Sequence, residues 1–194
     1  MKTVILDGTM AGPLARTCGQ AAEVVTAQLR AAGQPFIHLK LDTMDIGPCR
    51  GCFGCWQETP GRCLVHDDAE RMLAALAPAE LLILITPITW GGCSSELKKG
   101  MDRIIPLLLP FYARRRREVH LRGRYPVSRR LLAVGALPAA DPEMEAAFHR
   151  LIWRNSRNLQ ARWHEAVVLK ERSDLHWLAA RLNSRLAAEG GTPS

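Results

Sequence analysis

Four cysteines fall within fifteen residues, Cys49, Cys52, Cys55 and Cys63, spaced C-x2-C-x2-C-x7-C. Two C-x2-C steps share Cys52 and bring three thiols onto one tight loop. Gly51 and Gly54 relax the backbone there, and Gly61 can turn the chain so that Cys63 returns. Four thiolates converging in this way suit a cubane iron–sulfur cluster. Zinc is the next candidate, although its usual pattern separates two C-x2-C pairs more widely. A disulfide and inert buried thiols are the plainer alternatives. Phe53 and Trp56 are bulky neighbours that shield such a site or pack on a second subunit. Cys18 and Cys93 stand apart and read as small packing residues, although Cys18 falls in the first turn of a helix, where a thiolate is favoured.

Two further stretches could hold a ligand. Residues 8–17 (Gly-Thr-Met-Ala-Gly-Pro-Leu-Ala-Arg-Thr) join an apolar run to a helical pattern. Free N–H groups and the positive end of a helix dipole suit a phosphate. Thr9 and Thr17 add hydroxyls, and Arg16 adds charge. The stretch has neither the Gly-Lys-Ser/Thr of a Walker loop nor the Gly-x-Gly-x-x-Gly dinucleotide spacing, and an ordinary strand–helix turn fits it equally. Residues 86–92 (Thr-Pro-Ile-Thr-Trp-Gly-Gly) follow the most apolar run. Their glycines let a flat ligand approach the backbone, and Trp90 offers a stacking face. The alternative is a glycine-rich turn whose tryptophan caps the core.

The elements that must position these residues alternate. Short apolar runs at 3–6, 36–41, 80–86, 131–137 and 165–169 read as strands. Helical patterns separate them. Thr17 is the expected cap of a helix to about 32, stopped by Gly33. Asp67, with Glu70 as a capping box, opens a helix to about 76. Another starts at Ser94 or Ser95 and runs to about 105. Asp141-Pro142 opens one to about 162, and Asp174 caps the last, to about 188. The order implies an α/β fold with five parallel strands and helices on both faces. Ligands of such sheets bind beyond the carboxyl ends of the strands, near the topological switch point. No repeat or linker divides the chain, so residues 1–194 read as one domain, with a cysteine loop at 43–64, an irregular arginine-rich insertion at 110–130 and a frayed tail at 190–194.

Composition agrees. The 194 residues are 47% hydrophobic and 23% charged, which suits one globular domain and excludes a disordered chain. No apolar run approaches the ~18 residues of a membrane span, and the N-terminal apolar stretch is too short for a signal peptide. The expected compartment is the cytoplasm, without membrane partners. The net charge of +7 is local: residues 114–130 hold eight arginines and one acid, Glu118, and the rest of the chain has 18 basic and 18 acidic residues. A charge run is usually a solvated face. An acidic partner, a neighbouring subunit or a nucleotide phosphate are the functional options. No nucleic-acid fold or aromatic interleaving supports nucleic-acid binding. The six histidines are scattered, and none is assigned a catalytic role. Trp153 and Trp163 read as core or interface.

The stretch Pro87-Ile88-Thr89-Trp90-Gly91-Gly92-x-Ser94-x-x-Leu97-Lys98-x-x-x-Asp102-Arg103 resembles the flavin loop and following helix of flavodoxin-like NAD(P)H-dependent FMN reductases. Pro48-Cys49-x-Gly51-Cys52-Phe53-x-Cys55-Trp56, with Gly61-x-Cys63-x-x-x-Asp67-Asp68, is similar to their iron–sulfur flavoprotein branch. The resemblance covers roughly residues 1–110. It implies strand order 2-1-3-4-5, bound FMN, NAD(P)H as co-substrate and a homodimer or homotetramer. By position, Thr9, Met10, Arg16 and Thr17 would meet the FMN phosphate side. Pro87, Ile88, Thr89, Trp90 and Gly91 would line the isoalloxazine, and the four clustered cysteines would hold a 4Fe–4S cluster. The first loop departs from the family's Gly-Ser-Pro-Arg start. The expected function is electron transfer from NAD(P)H through FMN to a small acceptor or a redox protein. A non-catalytic FMN electron carrier and a flavin-free binding module are the alternatives.

Overall fold

The computed structural model describes residues 1–115, 117–170 and 173–187. Along the chain, β1 (Thr3–Asp7) leads through α1 (Ala15–Ala31) to β2 (Phe36–Lys40), and the cysteine loop follows with one short helical turn, α2 (Gly54–Gln57). Next come α3 (Ala69–Leu76), β3 (Leu81–Pro87) and α4 (Ser95–Asp102). A hairpin, β4 (Leu108–Arg115) and β5 (Glu118–Gly123), precedes β6 (Arg130–Ala136), α5 (Pro142–Asn158), β7 (Trp163–Leu169) and α6 (Ser173–Ala187). The main sheet is parallel, in the order β2-β1-β3-β6-β7. This is the expected 2-1-3-4-5 order, since β6 and β7 are the fourth and fifth strands of the sheet.

Alternation along the strands builds two cores. Val4, Leu6, Leu82, Leu84, Leu131 and Ala133 face α3, α4 and α5. Ile5, Leu81, Ile83, Ile85, Leu132 and Val134 face α1 and α6. Both faces of β1, β3 and β6 are buried, which is why their sequences are nearly continuous in apolar residues. Among the described residues no helix is long and apolar enough to cross a membrane.

Several local expectations are corrected. Residues 110–130 are not irregular: β4 and β5 pair antiparallel from Arg115–Glu118 through Tyr112–Leu121. The cross-strand partners are hidden in the sequence because Pro110 and a register shift after Leu108 interrupt the pattern. Nor is the arginine run one solvated patch. Arg129 is buried and donates to the carbonyls of Leu76, Ala77 and Ala79, capping the carboxyl end of α3 where a cation meets the negative end of the dipole. Arg124 donates to the Pro106 carbonyl. Arg116, residue 188 and the tail 190–194 lie outside the described residues.

Thr17 does not cap α1. The helix starts at Ala15 after Leu14, with no side-chain cap. At α3 the cap position is Asp68 rather than Asp67. Asp67 still accepts from the Ala69 N–H, but its other oxygen is turned to Gly47 and Arg103. At α4 and α5 the expected caps are present: Ser94 accepts from Leu97 N, and Asp141 from Glu143 N and Met144 N.

Candidate functional site

The sheet reverses direction of winding between β1 and β3, and the loops leaving those two strands meet there. The Gly8 N–H donates to the Ile85 carbonyl at 2.8 Å. Ser94 Oγ donates to the Gly8 carbonyl at 2.6 Å, and the Ser94 N–H donates to Thr86 Oγ1 at 2.9 Å. All of Gly8, Thr86 and Ser94 are buried. A Cβ on Gly8 would stand 2.5 Å from Leu97 Cβ. Glycine is therefore what lets α4 sit directly against the end of β1.

Beyond this junction the first loop runs outward. Met10 is exposed and Thr9 is half-buried. α1 begins with no acidic residue in its first turn and no side-chain cap, so its first N–H groups have no side-chain acceptor of their own helix. Arg16 is exposed on that turn and Thr17 is half-buried. Beneath the loop lies Asp7, 2% exposed. Its Oδ1 accepts from the Thr9 N–H at 2.9 Å and from Thr9 Oγ1 at 2.5 Å, and its Oδ2 meets His38 Nε2 at 3.0 Å. Burial pushes the Asp7 carboxyl up, but the bonds from His38 and Thr9 outweigh it and hold it below its ordinary value. The Thr9 hydroxyl is thus committed to Asp7, a contact the sequence spacing alone does not reveal.

The second loop is a tight reversal. Thr89 and Gly92 exchange N–H···O bonds of 3.0 and 2.8 Å. Trp90 and Gly91 between them have φ of 52° and 74°, as in the turns that close hairpins. Trp90 is 90% exposed. Gly91 is fixed by α5, since a Cβ there would stand 2.6 Å from Ala147 Cβ. Pro87 is buried, and the Ile88 side chain is in the core above Gly135 and Phe148. Thr89 is exposed beside Trp90. The residues at 9–17 and 87–91 thus come from two loops stapled together by Ser94.

The four clustered cysteines line one cavity of about 280 Å³, together with Phe53, Arg103 and Pro106. Cys49 and Cys52 are exposed, Cys63 is half-buried and Cys55 is buried. Burial, and then the neighbouring Cys63, Cys49 and Cys52, push the Cys55 thiol up. Among the described residues no group of three or more His, Cys, Asp or Glu side chains is placed to hold a metal ion. What the four cysteines share is the wall of that cavity. Phe53, at φ 56°, stacks on Trp56 with ring centroids 5.2 Å apart. The Trp56 indole N–H donates to the Leu108 carbonyl at 3.0 Å, which ties the cavity wall to the hairpin.

Arg103, just past the end of α4, closes the motif that resembles the FMN reductases, but the sequence assigns it no role. It is 2% exposed. Its two terminal nitrogens form a fork on Asp67 at 2.6 and 2.9 Å. The same nitrogens reach the Gly47 carbonyl at 2.8 Å, the Val65 carbonyl at 3.3 Å and Cys63 Sγ at 3.4 Å. Burial pushes the Asp67 carboxyl up, but Arg103 and two backbone N–H groups bring it below its ordinary value. Cys18 is a packing residue in α1: burial and the nearby Asp7 push its thiol up to about 12, so the helix-start argument for a thiolate fails there.

A parallel sheet with this order, and two stapled loops at its switch point, define a flavodoxin-type fold. The NADPH-dependent FMN reductase family model matches residues 1–136, and the chain belongs to that family of oxidoreductases. An iron–sulfur flavoprotein of Methanocaldococcus jannaschii is 32% identical over 117 residues, 59% of this chain and 57% of that protein. One from Archaeoglobus fulgidus is 25% identical over 103 residues, 53% and 48% of the two chains. The matched segment therefore spans about half the length of these curated relatives. Among solved structures, an NAD(P)H:quinone oxidoreductase from Methanothermobacter marburgensis superposes with TM-score 0.67 at 14% identity, covering 100% of this chain and 98% of that one. An FMN-dependent NADH-azoreductase from Bacillus anthracis, in complex with FMN, gives TM-score 0.69 at 14% identity, covering 98% and 99%. At that identity the likeness is one of fold.

Proposed function

We propose that this chain binds FMN at the junction of the first and second loops, takes hydride from NAD(P)H, and passes electrons outward through a 4Fe–4S cluster held by Cys49, Cys52, Cys55 and Cys63. The observation that carries the reading is the pairing of two sites on one short helix: α4 starts at the loop junction and ends at the cysteine cavity. Arg16, Thr17 and the uncapped start of α1 would take the phosphate. The backbone of 87–91 would take the ring, with Trp90 as a stacking face. FMN, when bound, supplies two-electron acceptance from the nicotinamide and one-electron release. The protein's part is to orient the ring, and no side-chain acid or base is needed. A cavity of about 640 Å³ opens beside Gly92 and Cys93 between α4, the hairpin and α5, within the size range of small-molecule sites, and would admit a small acceptor. A redox protein is the other acceptor class. Assembly as a homodimer or homotetramer in the cytoplasm belongs to the same reading.

One observation favours a second reading. The Asp7 carboxylate occupies the Thr9 hydroxyl and places negative charge under the phosphate loop, which suits a module that has lost the flavin. Anaerobic reconstitution followed by an absorption spectrum, iron and sulfide analysis and NADH or NADPH oxidation assays separates the cases. Flavin bands, about four irons per chain, the content of a cubane, and turnover support the full proposal. Flavin with iron but no turnover leaves an electron carrier, flavin without iron leaves a simple reductase, and no flavin at all leaves the binding module.

A further inference from the structure

We infer that Arg103 is the positioning residue of the cysteine cavity: its guanidinium ties the two ends of the loop together and supplies the hydrogen bond and positive charge that favour the reduced cluster. This rests on the cluster reading above. The geometry is specific. Gly47 and Val65 bracket the cysteine segment, and Arg103 donates to the carbonyls of both, at 2.8 and 3.3 Å. The fork on Asp67 fixes the plane of the guanidinium. In that plane Nη2 also points at Cys63 Sγ, 3.4 Å away. Seven residues separate Cys63 from Cys55, the widest gap of the four, so it is the sulfur that most needs an external anchor.

The donor set also fits the charge. Four thiolates around a cluster carry net negative charge, and uptake of one electron adds one more, with no bond broken and no proton moved. The electron comes from NAD(P)H by way of the flavin. A buried cation and an N–H donor at one sulfur stabilise the more negative state and so raise the potential. Arg103 is the arginine that lines this cavity from the helix side, and its Nε is buried without a partner. Asp67 pairs with both terminal nitrogens, and Nη2 still reaches Cys63 Sγ, so the sulfur meets a charged N–H donor.

The test compares the reconstituted wild-type chain with Arg103→Lys and with the double variant Asp67→Asn/Arg103→Met, which leaves no buried charge unpaired. Iron and sulfide content, the melting temperature and the cluster midpoint potential are read by anaerobic titration. Lysine keeps the charge but cannot reach Asp67, Gly47 and Cys63 at once. The expected result is a reduced state about tenfold less favoured, a downward shift of about 59 mV for one electron, and a larger fall in the double variant. Loss of iron at an unchanged melting temperature also supports the positioning role. Midpoints equal to wild type in both iron-loaded variants overturn the inference alone. Loss of iron together with the folded state in both variants assigns Arg103 a purely structural role and overturns it too. A wild-type chain that takes up no iron overturns the cluster reading and this inference with it.

Discussion

Ser94 and Arg103 cap opposite ends of the same eight-residue helix. Ser94 Oγ is bonded to the Gly8 carbonyl, and Arg103 is bonded to Cys63 and Asp67. At 1.5 Å per residue α4 is about 12 Å long. A helix so short does not bend, so the loop junction and the cysteine cavity are held at a fixed separation by one rigid strut. The apolar side of the strut, Leu97 and Met101, is buried in the core, which prevents either end from moving alone.

The first consequence concerns Ser94. Its hydroxyl makes the buried bond to Gly8 and accepts from Leu97 N. Ser94→Ala removes both, and the expected cost is about 1–2 kcal/mol of stability. FMN affinity should fall with it, because the first loop, the proposed phosphate site, loses its tie to α4. Gly8→Ala should be worse, since the new methyl meets Leu97 Cβ and backbone, with a cost of about 1–3 kcal/mol. Urea unfolding and FMN titration of both variants check the order. A Ser94→Ala protein as stable as wild type, with unchanged FMN binding, would show that the staple carries nothing.

Trp90 offers a cleaner separation of stability from binding. A bulky residue at φ 52° is strained, and this ring is 90% exposed. The exposed ring buries little area against the fold to offset that conformation. Trp90→Gly should therefore leave the melting temperature unchanged or raise stability by about 0.5–1 kcal/mol, while FMN binding weakens several-fold. Quenching of tryptophan fluorescence on adding FMN should be smaller in the variant. A loss of stability with binding intact would make Trp90 a structural residue instead.

The sheet was legible because β1, β3 and β6 are buried on both faces and write themselves as apolar runs. The caps Ser94 and Asp141 were legible because each stands directly before its helix. What escaped the sequence involves partners far apart in the chain. Arg129 reads as one of a charge run, yet it caps a helix more than fifty residues earlier. Asp67 reads as a local cap, yet its fork partner is Arg103, 36 residues on. The β4–β5 hairpin was missed because a proline and a register shift break the alternation that marks strands. The cysteine spacing announced a shared site, but not that the sulfurs line a cavity closed by an arginine.

The six cysteines should differ sharply toward an alkylating reagent. Cys49 and Cys52 are exposed, whereas Cys18 is buried and its thiol is raised to about 12. Burial pushes Cys55 and Cys93 up as well. In the apo chain at pH 8, iodoacetamide followed by mass spectrometry should label Cys49 and Cys52 first and Cys18 only after unfolding, because the thiolate is the nucleophile. Early labelling of Cys18 would contradict the burial. With a cluster in place, Cys49 and Cys52 should become protected together.

Acid sensitivity should trace mainly to the two carboxylates that are held ionised against burial. Asp7 and Asp67 are both held below their ordinary values in the folded chain, against the upward pull of burial, by His38 and Thr9 in one case and Arg103 in the other. A carboxyl with a depressed folded pKa binds fewer protons than its unfolded counterpart, so its contribution is complete above about pH 4 and is lost as pH falls through the folded value. Asp7→Asn isolates one share. The amide oxygen can still accept from Thr9, and the amide nitrogen can face the His38 ring, so the loop keeps its shape at pH 7. What disappears is the proton uptake. Urea midpoints measured from pH 7 to pH 3 should therefore fall less steeply in Asp7→Asn than in wild type, with the remaining slope assigned largely to Asp67. Equal slopes in the two proteins would mean that Asp7 is not held ionised by its neighbours. A steeper slope in the variant would mean that burial outweighs His38 and Thr9 at Asp7 and raises its folded value above the ordinary one, which overturns the assignment.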